Sequence, residues 1–404
     1  MSQTAPWGLG PAILPGGAGS DCELPVLGVL GGGQLGRMFV HAAQQAGFAT
    51  AVLEPDAGAP AGSAAHHHLR ADYRDPAAIG QLSALCAAVT TEFENVPAEV
   101  LAQLASRLPV APSADAVAVC QHRAREKSFF RTAGVPCAPF AVIEQSADLP
   151  QVPAALFPAV LKTSTLGYDG KGQTSVDDAA SLASAWASLK QAPCVLEQRL
   201  ALKLELSVIV ARGRDGQCVH LPVQQNLHRQ GILAVTQVPA PDVSPALAAQ
   251  AVAGAARLAE ALGYVGVLCV EYFVLQDGSL VANEMAPRPH NSGHYSLDAC
   301  DVSQFDLQVR TLAGLPLVAP RLHSPAIMLN LLGDLWFPDG PSAPSRTPRW
   351  DSVLALPGVH LHLYGKAQPR PGRKMGHLTV TAADAAQARQ VSLQACALLG
   401  LPPF

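Results

Sequence analysis

Charged residues are scarce in this sequence, at 14% of 404 residues, whereas hydrophobic residues make up 49%. This composition excludes an intrinsically disordered chain and predicts large buried cores, with room for two or three domains. The net charge is only -4 and the chain carries no extended basic block. The sequence therefore does not predict a nucleic-acid partner.

Paired cysteine motifs are also missing. The nine cysteines are scattered without a C-x-x-C spacing, and several lie within apolar runs, as Cys86 and Cys269 do. This pattern is typical of reduced packing residues in a cytoplasmic protein.

Residues 1–23 have neither a basic start nor a continuous apolar core. That pattern excludes a signal peptide or a membrane span there, and we expect no membrane partner. The content of Gly, Pro and Ala instead predicts a disordered leader.

Apolar strands alternate with helical segments in the first part of the chain. Strands are predicted at residues 24–30, 49–53 and 87–91, and helices at residues 34–45, 76–85 and 97–106. This βαβαβ order predicts a doubly wound parallel sheet.

A glycine-rich turn, GGGQLG at residues 31–36, connects the first strand to the first helix. Its backbone N–H groups lie at a helix N-terminus, where they favour an anion. Glu54 ends the second strand, as the ribose-binding acid of a dinucleotide fold does. The loop alone fits a dinucleotide, a simple phosphate or no ligand, so a nicotinamide-dependent dehydrogenase stays an alternative at this point.

Two later segments have the features of a nucleotide site. Lys162 ends a strand and is followed by a glycine-rich loop at residues 163–172. A lysine in that place can neutralise phosphates, and a mobile loop can close over them and exclude water. Glu197-Gln198-Arg199-Leu200 ends another strand, where backbone groups and a carboxylate can bind an adenine edge and a ribose.

A predicted hairpin carries two acidic residues. Residues 267–275 and 280–285 predict strands around Asp277-Gly278, a strong signal for a two-residue loop. In that register Glu271 and Glu284 face each other, with side chains roughly 5 Å apart. Facing carboxylates repel unless a cation lies between them, and Mg²⁺ binds one or two carboxylates together with phosphate oxygens and water. We therefore predict a magnesium site at this pair.

Six motifs carry a resemblance to a known family: GGGQLGRM (31–38), EFENVP (92–97), GYDGKG (167–172), NLHRQGIL (226–233), NEMAPRPHNSGH (283–294) and RPGRKMGH (370–377). From about residue 25 to 400 the chain resembles the 5-(carboxyamino)imidazole ribonucleotide synthases, which are ATP-grasp enzymes of purine biosynthesis. The last motif separates this family from sister ATP-grasp enzymes of the same pathway.

The resemblance implies an α/β fold of three domains. These are an N-terminal doubly wound parallel-sheet domain at 24–125, a central two-lobed ATP-grasp domain at 126–320 and a small β-rich C-terminal domain at 321–404. The chain departs from the usual family pattern at Ser164-Thr165-Leu166, where an arginine and an extra glycine are common.

The resemblance also implies roles for individual residues. ATP contacts are implied at Arg123, Lys162, Glu197, Gln198, Arg199, Leu200, Glu205, His228, Asn283 and Glu284, with Mg²⁺ on Glu271 and Glu284. The ribonucleotide substrate is implied to contact Gln34, Leu35, Glu92 or Glu94, Tyr168, Asp169 and Lys171, and its 5′-phosphate is implied to contact Lys366 and Arg373. Bicarbonate and the carboxyphosphate made from it are implied at Arg288, His290, Asn291 and Ser292. Asp169 is our candidate for the group that takes a proton from the substrate amine.

The implied reaction is the ATP- and bicarbonate-dependent carboxylation of the exocyclic amine of 5-aminoimidazole ribonucleotide through carboxyphosphate. The products are N-carboxyaminoimidazole ribonucleotide, ADP and phosphate, made by a cytoplasmic homodimer. One alternative, the formate-dependent glycinamide ribonucleotide transformylase, is disfavoured by the RPGRKMGH and HNSGH runs. A nicotinamide-dependent dehydrogenase is disfavoured because it assigns no function to residues 157–294. A non-catalytic nucleotide-binding protein does not need both metal carboxylates and Asp169.

Overall fold

The computed structural model of the chain describes residues 11–16, 23–165, 167 and 172–404. The strands are β1 Val26–Leu30, β2 Ala49–Leu53, β3 His67–Leu69, β4 Ala88–Thr91, β5 Phe140–Ile143, β6 Ala159–Thr163, β7 Gln173–Val176, β8 Cys194–Gln198, β9 Leu202–Arg212, β10 Cys218–His220, β11 Gln224–Arg229, β12 Ile232–Val238, β13 Gly266–Leu275, β14 Leu280–Ala286, β15 Ala326–Leu332, β16 Val359–Leu363 and β17 Lys374–Thr381. The α-helices are α1 Gln34–Gln45, α2 Pro76–Leu85, α3 Ala98–Ala105, α4 Ala114–Cys120, α5 Arg123–Thr132, α6 Ala179–Ser188, α7 Pro245–Ala261, α8 Ser296–Ala299, α9 Gln304–Ala313, α10 Trp350–Leu354 and α11 Ala385–Leu399. None of the helices in these described ranges is both long and apolar enough to cross a membrane.

The N-terminal sheet has the strand order β3-β2-β1-β4, and all its strands run parallel. Side chains alternate between its faces: Leu27 and Val29 pack with α1 and α9, whereas Leu30 and Leu53 pack with α2 and α3. Helices therefore cover both faces, which confirms the predicted doubly wound arrangement. The short edge strand β3 was not predicted from the sequence.

A second sheet, with the order β5-β8-β6-β7, is antiparallel and forms one lobe of the central domain. Helix α6 packs on it through Leu182 and Trp186, which join Leu161 and Leu196 in one buried cluster. Helix α6 begins with Asp178, whose side chain accepts a hydrogen bond from the backbone N–H of Ser181.

The largest sheet runs β14-β13-β9-β11-β12-β15-β17-β16, with β10 paired to β9. Every pairing in it is antiparallel. The pairing of β12 with β15, from Val235 with Leu329 to Val238 with Ala326, makes the C-terminal strands a continuation of the central domain's sheet. The C-terminal part also contains α11, a 15-residue helix that the sequence analysis did not predict.

Candidate active site

Two cavities meet at the β13–β14 hairpin. Cavity A, of about 380 Å³, has a lining that includes Gln34, Leu35, Glu92, Glu94 and Arg288. Cavity B, of about 340 Å³, has a lining that includes Lys162, Glu197, Gln198, Arg199, Leu200, Glu205, His228 and Asn283. The two cavities share a wall formed by Arg123, Glu271, Glu284, His290, Asn291 and Lys374. The structure thus brings the residues implied for ATP together around cavity B.

Glu271 and Glu284 lie opposite each other in the hairpin, as predicted. The predicted two-residue loop is wrong, however: Leu275 N donates to Ser279 O at 2.9 Å, so the loop has three residues. Val274 consequently pairs with Leu280, and a β-bulge between Glu271 and Tyr272 shifts the register by one. The two deviations cancel, and the acidic pair ends where the simpler hairpin would have put it.

The residues of the hairpin fit a magnesium ion. Burial first, and then the carboxylate of Glu284, raises the pKa of Glu271, because both effects disfavour a second negative charge there. The side-chain oxygen Oδ1 of Asn283 is buried without a hydrogen-bond partner. Two facing carboxylates and a free amide oxygen form the oxygen-only donor set that Mg²⁺ prefers. Glu271 and Glu284 would hold the ion.

Helix α5 contributes a residue that the sequence analysis did not identify as functional. The ammonium of Lys127 is fully buried and lies 2.9 Å from Glu197 Oε2. Lys162 Nζ lies 3.2 Å from the other oxygen of Glu197. Burial alone would raise the pKa of Glu197, but the two lysines outweigh it and hold that pKa at about 2. The signal in the sequence was the spacing of Arg123 and Lys127, which puts both on one face of a helix.

His228 and Glu205 form an ion pair on neighbouring strands at the edge of cavity B. Burial opposes protonation of the imidazole. The hydrogen bond with Glu205 and the nearby carboxylate of Glu271 outweigh burial and raise the pKa of His228. A positive charge is therefore favoured where nucleotide phosphates are expected to lie.

The glycine-rich turn holds an anion, but the anion belongs to the protein. The carboxylate of Glu92 accepts hydrogen bonds from the backbone N–H groups of Gly33 and Gly36, the latter at 2.6 Å. Gly32 N donates to Glu54 Oε2 at 2.9 Å. A Cβ at position 33 would lie 2.5 Å from Glu92 Oε1, so this close approach requires glycine. The N–H groups predicted to bind a phosphate or a dinucleotide are thus occupied.

Arg288 and Glu94 form a partly buried ion pair at the wall of cavity A. Burial alone would raise the pKa of Glu94, but the guanidinium of Arg288 outweighs it and holds that pKa at about 2. Of the two acids implied for the substrate, Glu94 therefore carries its charge into the cavity, whereas Glu92 is bound to the glycine turn.

The residues that follow β14 have two different roles. His290 and Asn291 line both cavities, and Asn291 Nδ2 is buried without a hydrogen-bond partner. Ser292 is fully buried and is absent from both linings. Its hydroxyl lies 2.9 Å from His290 Nδ1 and accepts a hydrogen bond from Ser207 at 2.7 Å. Ser292 therefore orients His290 and does not itself face a ligand.

Two basic residues implied for the 5′-phosphate lie outside the linings of both cavities. Lys366 Nζ donates to the backbone O of Lys374 at 2.6 Å, and Arg373 Nη1 donates to Gln368 O at 2.8 Å. Burial, and then the charge of Arg373, lowers the pKa of Lys366 to about 8. Lys374, which the sequence analysis did not single out, does line both cavities. Tyr168, Asp169 and Lys171 lie outside the described residues.

Asp298, His362 and His377 have ligand atoms within 4.8 Å of one another. The rings of His362 and His377 stack, with centroids 4.5 Å apart and planes 13° apart. A metal lies near the plane of each imidazole that binds it, and nearly parallel stacked rings have no such common point. Since His362 Nε2 also lies 2.9 Å from Asp298 Oδ2, the cluster is a hydrogen-bonded stack that joins β16 and β17 to α8.

Comparisons with known families cover most of the chain. The family model of the ribonucleotide synthetase preATP-grasp domain matches residues 24–121, and that of the ATP-grasp domain matches residues 128–305. The model of the phosphoribosylaminoimidazole carboxylase C-terminal domain matches residues 326–391.

Individual proteins are similar over nearly their whole length. The N5-carboxyaminoimidazole ribonucleotide synthase of Brucella melitensis is 42% identical over 356 residues, which cover 87% of this chain and 95% of that protein. The synthase of Pseudomonas aeruginosa is 41% identical over 372 residues, or 91% of this chain and 98% of that protein.

Solved structures are similar as well. The Staphylococcus aureus N5-carboxyaminoimidazole synthetase complexed with ADP has a TM-score of 0.85 and 34% identity, covering 97% of this chain and 100% of that one. The Aspergillus clavatus synthase in complex with ADP and 5-aminoimidazole ribonucleotide has a TM-score of 0.84 and 32% identity, covering 93% and 98%. This chain belongs to the N5-carboxyaminoimidazole ribonucleotide synthase family of ATP-grasp enzymes.

Proposed function

We propose that this chain carboxylates the exocyclic amine of 5-aminoimidazole ribonucleotide, with ATP and bicarbonate as co-substrates. The observation that carries the proposal is the wall shared by cavities A and B. A reaction that first activates bicarbonate with ATP and then transfers the carbon to an amine needs two adjoining sites. The family membership supports the same substrates.

In the first step, cavity B holds ATP and a bicarbonate oxygen attacks the γ-phosphorus, so that ADP leaves and carboxyphosphate forms. Lys162 and Arg123, whose side chains are largely buried, place positive charge beside the phosphates. Mg²⁺, when bound at Glu271 and Glu284, neutralises charge on the transferring phosphoryl group.

In the second step, the bond between the carboxyl carbon and the phosphate oxygen breaks, which releases phosphate and CO₂ beside His290 and Asn291. The amine nitrogen of the ribonucleotide in cavity A attacks that carbon and loses a proton. Burial, followed by the charge of Arg288, lowers the pKa of His290 well below its usual value, so it presents a neutral imidazole. We assign to Asp169 the role of accepting the proton that the amine nitrogen loses.

The individual substrate contacts, the magnesium ion and the domain boundaries after residues 125 and 320 stay predictions. We also propose a homodimer, which the family resemblance suggests. A cytoplasmic location is supported by the eight cysteines among the described residues, all of which are free thiols.

The test measures phosphate release from ATP and incorporation of labelled bicarbonate into the ribonucleotide. Phosphate release coupled to carboxylation is expected only when ATP, bicarbonate and 5-aminoimidazole ribonucleotide are all present, and each is omitted in turn as a control. ATP turnover that requires formate and glycinamide ribonucleotide instead would contradict the proposal. So would the absence of labelled product under any of these conditions.

A further inference from the structure

We infer that Glu126 and Lys127 of α5 are positioning residues that hold the bulge of β14, and through it the spacing of the two metal carboxylates. The inference rests on the proposed magnesium site. Both side chains are buried, and Glu126 also belongs to the lining of cavity A.

Three consecutive residues of β14 are contacted by α5. Lys127 Nζ donates to the backbone O of Asn283 at 2.8 Å. Arg123 Nη1 lies 3.1 Å from Glu284 Oε2. The backbone N–H of Met285 donates to Glu126 Oε1 at 2.7 Å. A bulge leaves its extra residue out of the strand ladder, and its backbone groups then need other partners. These contacts supply them on both sides of the bulge.

The bulge decides which side chains share the metal site. From the loop outward, Val274 pairs with Leu280 and Tyr272 pairs with Ala282. Continued without a bulge, this register would put Asn283 opposite Glu271. Because side chains alternate along a strand, the carboxylate of Glu284 would then point to the other face of the sheet. With the bulge, Glu284 is opposite Glu271. Stabilising the bulge therefore assembles the carboxylate pair.

Lys127 also connects this strand to the other lobe. Its ammonium lies 2.9 Å from Glu197 Oε2 on β8, in the lining of cavity B. The side chain of Lys127 is fully buried, so its ammonium is not solvated by water. A buried charge is retained only when it has close partners. Here the partners are the carboxylate of Glu197 on β8 and the backbone O of Asn283 on β14. The ammonium of Lys127 thus fixes the position of the β13–β14 hairpin relative to cavity B.

The experiment compares four variants for metal affinity, with Mn²⁺ as a spectroscopic probe. Binding of Mn²⁺ is measured by electron paramagnetic resonance in the full-length protein with ADP. Lys127→Met keeps the length of the side chain and removes the ammonium, and Glu126→Leu removes the acceptor of the Met285 N–H. Glu126→Gln keeps an acceptor oxygen. Arg125→Met is the matched control, because Arg125 lies on the same helix and is exposed.

We expect Lys127→Met and Glu126→Leu to raise the Kd for Mn²⁺ by roughly tenfold or more, since each variant leaves a buried backbone group of β14 without its hydrogen-bond partner. Glu126→Gln and Arg125→Met should bind Mn²⁺ like the wild type. The KM for the ribonucleotide should change little in Lys127→Met and Arg125→Met, since neither Lys127 nor Arg125 belongs to the lining of cavity A. A merely structural ion pair would not separate Glu126→Gln from Glu126→Leu in metal affinity.

Unchanged Mn²⁺ affinity in a folded Lys127→Met or Glu126→Leu variant would overturn the inference. If Lys127→Met does not fold, the comparison of Glu126→Gln with Glu126→Leu decides. Wild-type protein that binds Mn²⁺ but forms no carboxylated product would refute the proposed function and leave this inference standing. Wild-type protein that does not bind Mn²⁺ would remove the metal site, and the inference with it.

Discussion

Glu271→Gln is expected to stabilise the metal-free protein while abolishing ATP turnover. The carboxylate of Glu271 is only 14% exposed and faces Glu284 across the hairpin. Burial and the charge of Glu284 raise its pKa above the ordinary value of 4.5. Glutamine keeps the shape of the side chain and removes the repulsion, but it also removes one of the two negative charges that would hold Mg²⁺.

The gain in stability should depend on pH. A carboxyl group with a raised pKa keeps its proton in the folded state to a higher pH than in the unfolded chain. Wild-type stability therefore falls as pH rises from about 4.5 through the raised pKa. Glutamine does not titrate, so the variant should equal the wild type below that window and exceed it above. One pKa unit corresponds to about 1.4 kcal/mol, and we expect a gain of about 1–3 kcal/mol.

The assay is thermal unfolding of metal-free protein on both sides of this pH window. Glu260→Gln is the control, because Glu260 is exposed on α7. Addition of Mg²⁺ with ADP should then raise the unfolding temperature of the wild type and not that of Glu271→Gln. A variant less stable than the wild type at high pH would refute the predicted repulsion. Equal stabilisation of both proteins by Mg²⁺ would refute the metal site.

Three further predictions concern the residues implied for the ribonucleotide and the glycine-rich turn. Arg373→Ala should raise the KM for the ribonucleotide roughly ten- to a hundredfold and leave the KM for ATP unchanged, since one charge-assisted phosphate contact is lost; equal effects on both substrates in steady-state kinetics would remove Arg373 from the site. Asp169→Asn should bind ATP normally in calorimetry but form no carboxylated product, and failed ATP binding would contradict its role as proton acceptor. Glu92→Ala should lower the free energy of unfolding by about 1–3 kcal/mol, because the N–H groups of Gly33 and Gly36 lose their acceptor; urea denaturation that matches the wild type would show that the turn does not need the carboxylate.

The hairpin shows how far the sequence could predict the site. The two-residue loop predicted at Asp277-Gly278 paired Glu271 with Glu284 correctly, but only because the three-residue loop and the bulge shift the register in opposite directions. The three-residue loop and the bulge could not be read from those residues, because the groups that hold the bulge lie on α5, about 160 positions earlier in the chain. Register was therefore predicted correctly at the functional pair and wrongly beside it.

The partners of Lys127 and of the glycine turn were both missed for the same physical reason. Lys127 lies in a polar helix, and helical periodicity alone does not distinguish it from a surface lysine. Its partner Glu197 lies on β8, so only the folded structure shows that Lys127 is buried. The glycine turn was predicted to bind an anion, and it does, but the anion is the carboxylate of Glu92. Glu92 directly follows β4, a different strand from the one that precedes the turn. In both places local pattern identified a charge requirement, and only the tertiary fold identified the partner.

The continuous large sheet has a consequence for motion. Because β12 pairs with β15, backbone hydrogen bonds run unbroken from β14 to β16, and these parts cannot swing apart without breaking the ladder. The sheet β5-β8-β6-β7 carries Lys162 and Glu197, and within the described residues it shares no strand pairing with the large sheet. We therefore expect any opening of cavity B to move this sheet and to break the contact between Lys127 and Glu197 that connects it to α5.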